Sequence, residues 1–293
     1  MIRAAIAIGS NSTRMLVADK TDGAVRNLCR GREETRLFLG LDAQGNIDPE
    51  HLENTAQAVK RLQTQARQFG AQEITLFATS ATRDAANSDA FARRIMELTG
   101  LRLEIIPGEE EARLAFKASA GLERRLVIDI GGGSTEMTVG ENGIIEYSGS
   151  AQMGAGRLAK MCPITSLEDA VRAAEAAADV LRPFAEKVRA CRPAPQMIGL
   201  GGTCTAAVSI FHQTELHGED ADGKSISLDE VRRQWKLLAP MTQEERVRVP
   251  GLPVTRALMM PTGLCILLSV MELCGFDRIT VSGRNNLVGW MMD

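Results

Sequence analysis

Apolar residues near the start of the chain come in short runs broken by a small polar turn, and the same pattern returns later. Residues 6 to 17 read IAIGSNSTRMLV and residues 128 to 139 read IDIGGGSTEMTV, identical at seven of twelve positions without a gap. Each copy has an apolar run, a turn of Gly, Ser or Asn, and a second run of alternating character, which predicts a β-hairpin written twice. A duplicated hairpin predicts two domains of similar design, 1–122 and 123–293, each opening on the same turn. Residues 50–69 and 87–99 carry helical spacing, closed by Gly70 and Gly100. Residues 74–78 and 101–106 read as short strands, and Gly108-Glu109-Glu110-Glu111 starts a helix whose early carboxylates suit its positive end. Further helices are expected over 166–190, 228–238, 261–274 and 287–292, with strands at 197–200 and 279–281; residues 212–227 read as an exposed connection. Strand followed by helix, repeated, is α/β architecture.

The turns carry the candidate chemistry. Gly9-Ser10-Asn11-Ser12 and Gly131-Gly132-Gly133-Ser134-Thr135 are built from residues that let successive backbone N–H groups face one side, with hydroxyls as extra donors. Gly201-Gly202-Thr203 follows a strand and precedes a helix expected from Cys204, so it is a third candidate anion site. Composition agrees with small anionic ligands. The 34 Lys+Arg and 37 Asp+Glu leave a net charge of -3, which argues against a generic nucleic-acid coat, and 4% aromatic residues disfavour stacking platforms for bases. No apolar run has the length of a membrane helix, and six cysteines without a Cys-x-x-Cys pair read as thiols of a reducing cytoplasm.

Five stretches now point to one family: IAIGSNSTRML from Ile6, ATSATRDA from Ala78, PGEEEARLAF from Pro107, LVIDIGGGSTEM from Leu126 and IGLGGTCTA from Ile198. In order and spacing they resemble the Ppx/GppA family of exopolyphosphatases and guanosine pentaphosphate phosphatases, in its short two-domain form. The resemblance implies a two-domain actin-like ATPase (ribonuclease H-like) fold with a duplicated βαβ core and the ligand in an interdomain cleft. It implies hydrolysis of a terminal phosphoanhydride of inorganic polyphosphate or guanosine pentaphosphate, with Mg²⁺ or Mn²⁺ as cofactor and no nucleic acid or membrane partner. On the matching positions, Glu111 is the expected catalytic carboxylate, Arg83 a phosphate contact, and Asp129 and Glu136 the metal carboxylates. The glycine turns, with Thr203, would hold phosphates. Helices with apolar faces would support a homodimer.

Two positions and one segment depart from the family pattern. Ala7 stands where Asp is usual and lies opposite Asp129 in the internal alignment. Leu258 stands where Asp is common, and Ser282-Gly283-Arg284-Asn285-Asn286 replaces a more acidic, glycine-rich segment. Loss of one carboxylate should weaken cation binding or slow turnover. The alternatives to a polyphosphatase are therefore a pppGpp or nucleotide phosphatase, or a catalytically weak sensor that binds polyphosphate or nucleotide.

Overall fold

The computed structural model describes residues 1–21 and 24–293. Alternation in the first repeat builds β1 (Ile2–Ile8): Ala4, Ile6 and Ile8 enter a hydrophobic cluster, and Ala5 and Ala7 face the other side of the sheet. β1 pairs antiparallel with β2 (Thr13–Thr21), which pairs with β3 (Ala24–Glu33). On its other edge β1 runs parallel to β4 (Glu73–Ala78), and β4 to β5 (Leu103–Ile105), giving the order β3-β2-β1-β4-β5. Helix α1 (Pro49–Gln68) covers one face with Ala56, Val59, Leu62 and Ala66, after Asp48 caps it by accepting from the His51 amide. α2 (Ser80–Arg83) is one turn at the end of β4, where the sequence suggests only a polar turn. α3 (Ser88–Thr99) stops at Gly100, which is left-handed at φ 69°. α4 (Gly108–Ser119) follows β5 and Pro107.

The second repeat builds β6 (Arg125–Ile130) and β7 (Thr135–Glu141), followed by β8 (Ile144–Ala151), the short α5 (Ala155–Met161) and the long α6 (Leu167–Ala190). β9 (Gln196–Leu200) enters α7 (Gly201–His212); β10 (Ser225–Ser227), α8 (Leu228–Leu238), α9 (Gln243–Arg246), α10 (Met260–Cys274) and β11 (Arg278–Val281) complete this part. α11 (Asn286–Met292) ends the chain. The second sheet is ordered β10-β11-β9-β6-β7-β8. Counted from its own first strand it repeats the order 3-2-1-4-5 of the first sheet, with β10 added at the edge. That order, in duplicate, is the actin-like, ribonuclease H-like α/β arrangement. The connection over 212–227 is not all exposed: β10 pairs with β11, and Ile226 and Ala221 are buried.

The chain divides into two compact units, Met1–Leu114 with Asn286–Asp293, and Ala115–Asn285. This differs from a cut at 122/123 in two ways. The division falls inside α4, because Ala115, Phe116 and Ala120 pack with Val127, Ile198 and Leu200 of the second sheet. The last eight residues return to the first unit, where Trp290 stacks on Phe77 with ring centroids 4.7 Å apart.

The second unit's core is aliphatic: α10 is buried from Met260 to Met271 and packs with α6 and α8. One cation is sunk beside it. Arg246 is 5% exposed and donates to the carbonyls of Leu238 and Ala239, which end α8, and to Ile164 O. Its guanidinium closes the helix end, and burial pulls its pKa below the usual arginine value. Arg246→Met removes the guanidinium from all three carbonyls, leaving Leu238 O only the Met241 amide at 3.3 Å, and is expected to cost about 2–4 kcal/mol in urea unfolding. A loss under about 0.5 kcal/mol would contradict this role, since that is the scale of ordinary surface changes.

Candidate active site

The two glycine turns have the same construction. Gly9 N donates to Ser12 O at 3.1 Å and Gly131 N to Ser134 O at 2.9 Å. In the first unit the segment after β3 ties the turn from behind: Arg36 N donates to Asn11 O and Phe38 N to Ser10 O. In the second unit the start of α5 does this work, with Ala155 N on Gly131 O and Arg157 N on Gly132 O, while Arg157 Nε takes Gly133 O. Hydroxyls add a matching brace, Thr13 to Thr35 at 3.2 Å and Thr135 to Met153 O at 2.5 Å. With the carbonyls bound, the amides of Ser10, Asn11 and Ser12, and of Gly132, Gly133 and Ser134, donate to no protein acceptor among the described residues. Successive undonated amides in a turn can cradle an anion.

Glycine serves these turns differently from the sequence expectation. Gly9 and Gly131–Gly133 do not take left-handed angles. Their value is room: a Cβ at Gly9 or at Gly131 would lie 3.1 Å from the oxygen that its own amide binds. Gly154 likewise lets α5 approach, since a Cβ there would meet the backbone of Gly132 and Gly133 at 2.5 Å. The third turn is also revised. α7 begins at Gly201 itself, so Gly202, Thr203 and Cys204 lie in its first turn and their amides belong to the helix's unpaired N-terminal set. Gly201 has φ 83°, and a Cβ there would sit 2.6 Å from Asp129 Oδ1. A Cβ at Gly202 would overlap the Arg256 guanidinium, which lies against that first turn.

The first unit gathers a polar group at the C-terminal ends of β1, β4 and β5. Glu111 is 8% exposed, and its Oε2 lies 3.7 Å from Arg83 Nη1, which also donates to Ile106 O at 3.0 Å. Buried atoms without a protein partner lie on α2 and in the first glycine turn: Arg83 Nη2, Ser80 Oγ and Asn11 Oδ1. Asn11 Nδ2 is held by Glu34 Oε2 at 2.9 Å, so the amide's orientation is fixed. Buried polar atoms are normally satisfied, and such a group at strand ends is a candidate ligand site.

The second unit gathers carboxylates. Asp129 and Glu136 are direct partners across the β6–β7 hairpin and therefore share one face of the sheet. They are 7% and 2% exposed, and Ser150 donates to Glu136 Oε1 at 2.7 Å. Two adjacent buried carboxylates with one hydroxyl brace suit a hard divalent cation that takes its other ligands from water and phosphate oxygens. Burial first, and then the Asp129 charge, pushes the neighbouring Cys204 thiol above its usual range, so this cysteine is a neutral packing group and no nucleophile.

The corresponding place in the first hairpin is different. Ala7 pairs with Arg14 where Asp129 pairs with Glu136, and Arg14 Nη2 donates to Asn286 Oδ1 at 3.3 Å. The structure thus keeps the departure at Ala7 and sets a cation beside it. Glu34 and Ser150, which brace the two halves, were not marked by the sequence. Both lie at or beyond the third strand of a meander, where no repeated motif draws attention.

A duplicated ribonuclease H-like sheet, each copy opening on a braced glycine turn, defines a protein of the actin-like ATPase class. Within that class the chain belongs to the Ppx/GppA phosphatase family, which matches residues 16–286. It is 29% identical over 305 aligned positions to the guanosine-5'-triphosphate,3'-diphosphate pyrophosphatase of Photobacterium profundum, covering 99% of this chain. The chain spans 59% of the length of that relative. The Ppx/GppA enzyme of Aquifex aeolicus superposes with a TM-score of 0.83 at 25% identity, covering 100% of this chain and 99% of that one. An exopolyphosphatase from Cytophaga hutchinsonii gives 0.91 at 25% identity, covering 100% and 98%. No helix among the described residues is long and apolar enough to cross a membrane.

Proposed function

We propose that the protein is a divalent-cation-dependent phosphoanhydride hydrolase that releases the terminal phosphate of inorganic polyphosphate, with guanosine pentaphosphate as the second substrate to test. The observation that carries this reading is the Glu111–Arg83 pair beside a braced cradle of amides. The names of the relatives, a pppGpp pyrophosphatase and an exopolyphosphatase, support the same class of reaction.

The chemistry follows from the residues. Turn amides and Arg83 bind phosphate oxygens, Arg83 through a fork that matches two oxygens at once. Glu111, buried and next to that cation, orients a water and accepts its proton as the water oxygen bonds to the terminal phosphorus. The bridging P–O bond breaks, and its electron pair leaves with the shortened chain. Asp129 and Glu136 would hold Mg²⁺ or Mn²⁺, whose charge would neutralise phosphate oxygens in the transition state.

Arg83→Lys keeps the charge and loses the fork. It is expected to raise KM for polyphosphate by about 10-fold, with a smaller change in kcat. An unchanged KM would remove Arg83 from the phosphate contacts. The reading as a whole is tested by orthophosphate release from polyphosphate, pppGpp and ATP, with Mg²⁺ and with a chelator. Tight polyphosphate binding without turnover would instead support the sensor reading, which rests on Ala7 facing Arg14.

A further inference from the structure

The cradle at Gly9–Ser12 is fixed to the first sheet, whereas Glu111 stands on a separate helix, α4. Something must set the distance from one to the other. α11 touches both. Towards the sheet, Trp290 stacks on Phe77 of β4 and Asn286 accepts from Arg14 of β2. Asn286 is fully buried there.

Towards α4 the contact is of backbone on backbone. A Cβ at Gly289 would overlap the carbonyl oxygen of Leu114, and the next nearest atoms are also Leu114 backbone. Backbone cannot swing aside as a flexible side chain can. Leu114 lies three residues beyond Glu111, one turn along the same helix face. A second tie lies one residue from Leu114. Arg113 binds Glu110 through two bonds of 2.8 Å and reaches across to Asp293 Oδ2 at 2.6 Å. Both carboxylates hold the guanidinium above its usual pKa, Glu110 foremost.

We propose that α11 is the spacer that positions Glu111, with Gly289 and Asp293 as positioning residues that touch no substrate. This rests on the proposed role of Glu111. Gly289→Ala must push α4 off α11 at Leu114, and misplacement of a catalytic group by about 1 Å costs on the order of 100-fold in rate.

The test is steady-state orthophosphate release from polyphosphate by the full chain. Gly289→Ala is expected to lower kcat by about 100-fold with KM within about twofold, because the cradle itself stays on the sheet. Asp293→Asn is expected to lower kcat by about fivefold and Asp293→Glu to restore it, since only the charge on Arg113 is at issue. Gly251→Ala is the control for crowding away from α4: a Cβ there also overlaps backbone, at Ser209 O, in the other unit. It should lower the melting temperature and leave kcat alone. The inference is overturned if Gly289→Ala keeps kcat within about twofold, or if Gly251→Ala loses as much. Should Gly289→Ala not fold, Asp293→Asn decides: wild-type kcat there overturns the inference. Full activity in Glu111→Gln would instead overturn the hydrolase mechanism, leaving the two failures distinguishable.

Discussion

Glu111→Gln is expected to lower kcat for orthophosphate release by about 10²- to 10⁴-fold, the range that a general base contributes. KM should change little. The amide has nearly the shape of the acid and can still pack beside Arg83, but it cannot accept the proton of the attacking water. Glu111 lies 3.7 Å from Arg83 and is 8% exposed. Glu109, two residues earlier, is exposed, and Glu110 is committed to Arg113. Glu109→Gln and Glu110→Gln should therefore stay within a fewfold of wild type at the chemical step, although the second loosens the hold on Arg113. Equal losses at all three positions would show that the negative potential of the helix start matters and that no single carboxylate acts as base.

Asp129→Asn is the second large effect. It removes one of two facing buried carboxylates, and it keeps the contact that Gly201 leaves room for. Activity at millimolar Mg²⁺ should fall by about 100-fold, with part of it recovered at higher cation concentration. Calorimetry with Mn²⁺ gives a readout free of turnover: wild type should bind one ion per chain, and Asp129→Asn more weakly by at least about tenfold. Unaltered Mn²⁺ binding would place the cation elsewhere. Ala7→Asp offers the opposite experiment. The new carboxylate would face Arg14 across the hairpin, so ion pairing with that guanidinium would compete with any cation.

The hairpins were legible because the same twelve residues occur twice and their apolar positions alternate. β3 was not, since AVRNLCRGRE carries three arginines and reads as polar. It is an edge strand, and edge strands tolerate charge on both faces. α5 was missed for a different reason: seven residues are too few to show a period. Its position depends on Gly154, whose significance appears only when the backbone of Gly132 and Gly133 is seen against it. In the sequence Gly201 and Gly202 resemble a turn before a helix because glycine disfavours helix interiors. The first helical turn is where that penalty is smallest and close approach is most useful.

The site was legible in its members and not in its bracing. Glu111 and Arg83 are 28 positions apart, and no spacing rule joins them; only the family resemblance points to both, and the parallel register of β4 and β5 brings them to one strand end. Glu34 on Asn11, Ser150 on Glu136 and Asp293 on Arg113 pair residues separated by 23, 14 and 180 positions. Pairings of that kind are set by topology, and a single sequence carries no local mark of them.

The most direct test is a paired assay of orthophosphate released from long-chain polyphosphate by wild-type protein and Glu111→Gln, each with Mg²⁺ and with chelator. Wild type is expected to release orthophosphate with Mg²⁺ alone, and the variant at least about 100-fold more slowly. Equal rates for the two proteins, or release that ignores the cation, would contradict it.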